Sequence, residues 1–183
     1  AVLAGSNGAG KSTAIKCIVG LLRYEGEIEI CGFKNKSLDA KRITGYIPEI
    51  PAPFDLLTVW EHMEFISRAY SLDAWQSDAE RLMERFQLTD KKNKLGKELS
   101  KGMQQKVSIC CALLIKPKAV LFDEPFVGLD PHAIKELKSM IIELKNQGAS
   151  VIISTHMLES VSELWDKVLI MMNGRIEAEI TRE

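Results

Sequence analysis

Gly5-Ser6-Asn7-Gly8-Ala9-Gly10-Lys11-Ser12 is the stretch on which the reading of the fold turns. The apolar run Ala1-Val2-Leu3-Ala4 leads into it, and a helical pattern leaves it, with Ala14, Ile15, Ile18, Val19 and Leu22 on one stripe. A glycine-rich turn between a buried strand and a helix, closing on Lys-Ser, matches the pattern GxxxxGK[ST]. Its glycines let backbone N–H groups turn inward around phosphate oxygens, and the helix N-terminus adds partial positive charge. Ser6, Asn7, Gly8, Ala9, Gly10, Lys11, Ser12 and Thr13 are therefore the candidate phosphate-binding residues. Lys11 is placed to neutralise β- and γ-phosphates, and the Ser12 hydroxyl to ligate Mg²⁺. The rival is a glycine-rich turn with an incidental lysine. With Gly at about 7% of residues, a chance match in such a chain is on the order of one in a hundred, and the strand-helix setting lowers it further. The chain begins inside the strand pattern, which predicts that one or more strands precede Ala1 in the parent protein.

Outward from this loop, Glu27-Ile28-Glu29-Ile30 alternates and closes at Gly32, the pattern of a short half-exposed strand. Residues 43–47 predict another strand, stopped by Pro48, Pro51 and Pro53. From Thr58 to about Leu88 the signal is helical, with Asp73 as an N-cap and Trp75, Ala79, Leu82, Met83 and Phe86 as an apolar stripe. Lys91 to Lys97 is a polar break, and a helix is expected from Lys101 to Ile115. Strands at 119–122 and 150–154 flank a helix that ends near Gly148, and a short helix follows to about Trp165. Residues 167–172 and 175–180 bracket Asn173-Gly174, a two-residue hairpin signal. Strands alternating with helices predict an α/β fold with a largely parallel sheet and a small antiparallel β element. Residues 55–105 lack a convincing strand and read as an inserted helical subdomain. The remainder, 1–54 and 106–183, reads as the core.

Val120-Leu121-Phe122-Asp123-Glu124 is a buried strand ending in two acids, which is what a metal-assisted phosphate site needs. Asp123 can hold Mg²⁺ through water, while Glu124 can polarise the attacking water as a general base. The bland alternative is a pair of solvated acids at a strand end. The composition carries 46% hydrophobic and 27% charged residues with net charge −1, which argues against a nucleic-acid coat. No apolar run approaches the roughly 18 to 20 residues that span a bilayer, so membrane work would go through a partner. Cys17, Cys31, Cys110 and Cys111 form no CxxC pair; three of the four lie in apolar patterns and read as buried reduced thiols.

Leu99-Ser100-Lys101-Gly102-Met103-Gln104-Gln105-Lys106 resembles the signature sequence of ABC ATPases, in the LSKGM form of some bacterial exporter-like members. As bare sequence it is Ser100 capping a helix, with Gly102 permitting close approach to an anion. Other stations of that family follow in order. Gly45-Tyr46-Ile47-Pro48-Glu49 resembles the Q-loop, with Glu49 where most members carry glutamine; a carboxylate can still ligate Mg²⁺. Gly128-Leu129-Asp130 resembles the D-loop, and Ser154-Thr155-His156 the switch-histidine region. Asp130 before Pro131 is also a good N-cap with proline at the first helical position, and His156 alone would more often be structural. His62 and His132 have no assignment.

The resemblance implies a P-loop ATPase core that binds and hydrolyses ATP with Mg²⁺. It implies Lys11, Glu124 and His156 as catalytic residues, with His156 on the γ-phosphate, and Ser12, Asp123 and Glu49 around the metal. It further implies head-to-tail pairing with a second ATP-binding domain, Ser100 and Gly102 acting across the interface on the partner's nucleotide. Transmembrane permease subunits would take the coupling contact near residues 49–69, at the cytoplasmic, inner face of the cell membrane. An alternative within the resemblance is a soluble member acting on nucleic acid or ribosomes. Such proteins usually add a coiled-coil insertion, zinc-binding cysteines or a second ABC domain, and none is visible in these 183 residues. A third, a binding-only relic, is disfavoured by intact Lys11, Asp123, Glu124 and His156. Family members also carry an upstream aromatic that stacks on adenine.

Overall fold

Parallel pairing of apolar strands sets the frame. The computed structural model describes residues 1–182. In it β1 (Val2–Ala4), β4 (Thr44–Ile47), β5 (Ala119–Asp123), β6 (Ser150–Thr155), β7 (Lys167–Met172) and β8 (Arg175–Thr181) form one sheet in the order β4-β5-β6-β1-β7-β8. Neighbours from β4 to β7 run parallel, and β8 returns antiparallel to β7. Every residue of β1 and β5 is buried, the mark of strands covered on both faces. A second, two-stranded antiparallel sheet pairs β2 (Glu29–Ile30) with β3 (Phe33–Lys34). The α/β class and the small antiparallel element are as the sequence led us to expect.

Register decides where chemistry can gather. Ala4 lies opposite Thr155, Asp123 opposite Ser154, and Ile47 opposite Phe122. Four parallel strands thus end at one edge, and the chain leaving them carries Gly5–Ser12, Glu49, Glu124 and His156. In open parallel sheets this carboxyl edge is where a ligand crevice forms.

The helices are α1 (Lys11–Ile18), α2 (Leu38–Arg42), α3 (Val59–Ala69), α4 (Gln76–Arg85), α5 (Lys101–Leu114) and α6 (Pro131–Asn146). Thr58 opens α3 with a reciprocal capping box to Glu61. Asp130 caps α6 through Ala133 N–H, with Pro131 at the first turn, as the sequence indicated. Ala79, Leu82, Met83 and Phe86 of the expected stripe are buried, with Trp75 half-buried against them. Between residues 55 and 105 the described residues hold helices and a single bridge, Thr58 with Leu95. Helix α5 continues from there onto β4, where a Cβ on Gly45 would lie 3.0 Å from the Ala112 carbonyl.

Several local expectations are corrected. Helix α1 stops at Ile18, and Leu22 is exposed and off the stripe. Gly20 at φ 80° closes the helix with bonds from its own N–H to Cys17 O and from Leu21 N–H to Lys16 O. Buried Asn35 then donates to the carbonyls of Cys17 and Ile18, both at 2.9 Å. The continuous helical signal over 58–88 divides into α3 and α4, because Ser71 (φ 54°) and Ala74 (φ 48°) turn the chain between them. Trp75, not Asp73, occupies the N-cap of α4, and no side chain caps it. Of the four thiols only Cys110 is fully buried; Cys31 is exposed in the β2–β3 turn at φ 50°. Burial pushes the Cys110 thiol well up and that of Cys111 to about 12.

Candidate active site

The glycine loop forms a cradle. Gly8 (φ 83°) and Gly10 (φ 103°) adopt the left-handed conformations that a loop needs if its backbone N–H groups are to turn toward an anion. Gly5 answers a different demand: a Cβ there would stand 2.4 Å from the Met171 carbonyl, so the loop needs glycine to pass β7. The Asn173-Gly174 turn braces the loop from the same side, with Gly174 N–H donating to Ala9 O at 2.9 Å. Asn173 (φ 49°) and Gly174 (φ 78°) have the two positive φ angles a tight hairpin requires. The hairpin itself was legible; its service to the phosphate loop was not.

Lys11 is 6% exposed, and its ammonium donates to Gly5 O (2.8 Å) and Ser6 O (3.2 Å). It lies 3.6 Å from Glu124 Oε1, and His156 Nδ1 reaches the same oxygen at 2.9 Å. Glu124 adopts φ 47°, an uncommon conformation for a non-glycine residue that turns its carboxylate off the end of β5. Its N–H bonds Ser154, to O and to Oγ, at 3.2 Å each.

Asp123 is 1% exposed and accepts on Oδ1 from Ser12 Oγ (2.9 Å) and Ser154 Oγ (2.5 Å). Ser154 thus ties both acids together, a role that sequence reasoning missed, since a serine inside an apolar strand carries no pattern. Tyr46 shares a sheet face with Leu121, its partner in register, and with Asp123 two residues on. Its phenol is pushed up to about 12, first by burial and then by the charges of Asp123 and Glu49.

Asn7, Gly8, Gly10, Lys11, Ser12 and Thr13 line a cleft of about 410 Å³, closed on the other side by Glu49, Glu124, Val127 and His156. Ser6 and Ala9 contribute backbone carbonyls behind the loop. Ser100 and Gly102 lie outside the cleft. Ser100 is exposed and caps α5 by accepting from Met103 N–H at 3.3 Å. Gly102 faces the loop after Glu124: a Cβ on it would sit 2.6 Å from the Gly128 carbonyl. Close approach to that carbonyl is the reason for glycine that this chain displays. His62 is structural: its Nε2 accepts from Phe54 N–H at 2.9 Å, so Nδ1 carries the proton donated to Thr58 O at 2.7 Å.

The family profile described as ABC transporter matches residues 1–127. The chain belongs to the ABC transporter family. It is 39% identical over 181 residues to the ABC-type transporter ATP-binding protein EcsA of Bacillus subtilis, covering 96% of this chain and 73% of that one. It is 34% identical to the lipopolysaccharide export system ATP-binding protein LptB of Haemophilus influenzae, covering 99% of this chain and 78% of that one. A solved ATP-binding subunit of an ABC transporter superposes with a TM-score of 0.90 at 40% identity, over 98% of this chain and 77% of that one. The fold is that of the P-loop ATPases, and the chain is an ATP-binding, ATP-hydrolysing domain of the ABC transporter type. No helix among the described residues is long and apolar enough to cross a membrane.

Proposed function

We propose that this ABC domain binds ATP with Mg²⁺ in the cleft between the glycine loop and Glu49, Glu124 and His156, and hydrolyses it there. The observation that carries this is the single carboxyl edge at which the glycine loop, the Asp123–Glu124 pair and His156 converge. Mg²⁺ fits the donors present. Among the described residues no group of three or more His, Cys, Asp or Glu could cage a metal. Mg²⁺ instead uses one or two carboxylates, waters and substrate phosphates. Ser12 and Asp123, 2.9 Å apart, with Glu49 across the cleft, match that need. When bound, the ion would neutralise charge developing on the phosphate oxygens.

The protein's own groups do the rest. Lys11 leaves the Gly5 and Ser6 carbonyls for the β- and γ-phosphates, and the loop N–H groups take the remaining oxygens. His156 turns from Glu124 to the γ-phosphate. Both shifts release Glu124 Oε1, which accepts a proton from the attacking water. The two contacts on that oxygen therefore act as a brake before nucleotide arrives.

Residues 55–105 form a helical subdomain on a core made of 1–54 and 106–183. Because Ser100 and Gly102 stand outside the cleft of their own chain, a second ATP-binding domain, packed head to tail, would receive them against its nucleotide. Exposed Ile50, Phe54, Leu56 and Phe65 offer an apolar face beside Glu49 for a transmembrane permease subunit, which would hold the domain at the inner face of the membrane. Sedimentation of the Glu124→Gln protein tests the scheme. ATP–Mg²⁺ should convert it to a dimer that adding Ser100→Arg abolishes, while turnover falls by about 10²–10⁴ through loss of the base. A protein that stays monomeric at saturating ATP–Mg²⁺ would refute pairing through Ser100.

A further inference from the structure

Gln105 lies one turn into α5 and is 1% exposed. Its Nε2 donates to the Pro48 carbonyl at 3.4 Å, a long contact, and its Oε1 is buried without a partner. The amide must face this way round, since two carbonyl oxygens would repel. A buried acceptor left open is costly and calls for a reason. Pro48 immediately precedes Glu49, whose side chain lines the cleft. The N–H groups of Glu49 and Ile50 bond no backbone acceptor among the described residues. A buried acceptor without a partner therefore stands beside a single weak contact to the residue before Glu49, and the exposed loop that follows holds two N–H groups not committed to any backbone acceptor.

We propose that Gln105 is a positioning residue for Glu49, its amide serving two arrangements of the loop after β4. In the arrangement seen, Nε2 holds the Pro48 carbonyl. In the other, the loop turns Glu49 toward the nucleotide and its metal, and a Glu49 or Ile50 N–H donates to Oε1. Ser100 caps α5, so the helix presented to a second domain also holds the loop that completes its own cleft. The inference rests on the reading of Glu49 as a group that faces Mg²⁺.

The test is Gln105→Leu, with Gln105→Met as the second variant should leucine fail to fold. Leucine removes the unpartnered Oε1 together with the weak donor to the carbonyl of half-buried Pro48, so a gain and a loss oppose one another in folding. The thermal midpoint of the nucleotide-free protein should therefore stay close to wild type. ATP affinity is then titrated calorimetrically in EDTA and in Mg²⁺, alongside Glu49→Ala and the double variant. The expected result is wild-type affinity in EDTA with the Mg²⁺-dependent gain reduced roughly fivefold to tenfold, the worth of about one hydrogen bond. The double variant should lose no more than Glu49→Ala alone. Equal losses in EDTA and Mg²⁺ would make Gln105 a packing residue and overturn the proposal. So would a full gain in Gln105→Leu beside a lost gain in Glu49→Ala, which leaves the Glu49 reading standing. A full gain in Glu49→Ala would remove both.

Discussion

Glu124 Oε1 receives the Lys11 ammonium at 3.6 Å and His156 Nδ1 at 2.9 Å, and it does so from a left-handed backbone held by Ser154. Two residues far apart in sequence, Lys11 and His156, thus contend for one oxygen of a third, and phosphate is the ligand that would separate them. Lys11 is the strongest competitor because its charge is almost wholly desolvated. Each hydrogen bond from it to a charged oxygen contributes about 1.5–3 kcal/mol. Lys11→Ala should therefore weaken ATP–Mg²⁺ binding by roughly 100-fold or more, read by calorimetric titration. Affinity within a few fold of wild type would remove Lys11 from the phosphate site. Lys11, Ser12 and Asp123 were legible because their spacing and flanking apolar runs are themselves the signal. Ser154 and the conformation of Glu124 were not, since both depend on which strand lies beside β5.

Between elements, α5 and the start of α6 are joined by one clasp. Lys106, buried on α5, pairs with Asp130 at 2.6 Å, while Gly102 packs on the Gly128 carbonyl. The Lys106 ammonium, then the Ala133 N–H, hold the Asp130 carboxyl below the usual carboxylate range. A carboxylate depressed in the folded state stabilises the fold above its unfolded pKa, about 3.9. That contribution is lost as pH falls through the lower folded value. Asp130→Asn keeps the helix cap and removes the charge, so its thermal midpoint should lie below wild type at neutral pH. The gap should close as pH drops below about 4; a gap constant from pH 7 to pH 3 would show that the charge is not its cause. Sequence reading located α5 and α6 through their caps, Ser100 and Asp130. It ran α3 into α4 because the left-handed closing residue is Ser71, and the chain there lacks the glycine or proline that usually marks a stop. Gln87 and Lys116 are left-handed at the ends of α4 and α5 in the same way.

For the whole molecule, the question is whether the helical stretch and the sheet respond to nucleotide as one body. Arg85 of α4 bonds Glu136 (2.9 Å) and Glu143 (2.8 and 2.9 Å) of α6, across a groove of about 550 Å³. Glu143 is half exposed, so solvent screens much of this pairing, and Arg85→Ala should cost about 1 kcal/mol. For a domain of this size that lowers the thermal midpoint by about 2–4 °C. The cleft, in contrast, draws its groups from the ends of β1, β4, β5 and β6, so nucleotide bound there should stabilise through the sheet. At 100 times Kd a ligand adds about 2.7 kcal/mol, a rise of roughly 5–10 °C. If α4 and the sheet unfold together, Arg85→Ala should lower the midpoint with and without ATP–Mg²⁺ by the same amount, leaving the nucleotide increment intact in one transition. Differential scanning calorimetry distinguishes this from the alternative. Two transitions, of which only the upper one moves with ATP–Mg²⁺, would mean that Arg85 joins two bodies and that nucleotide is felt by the sheet alone.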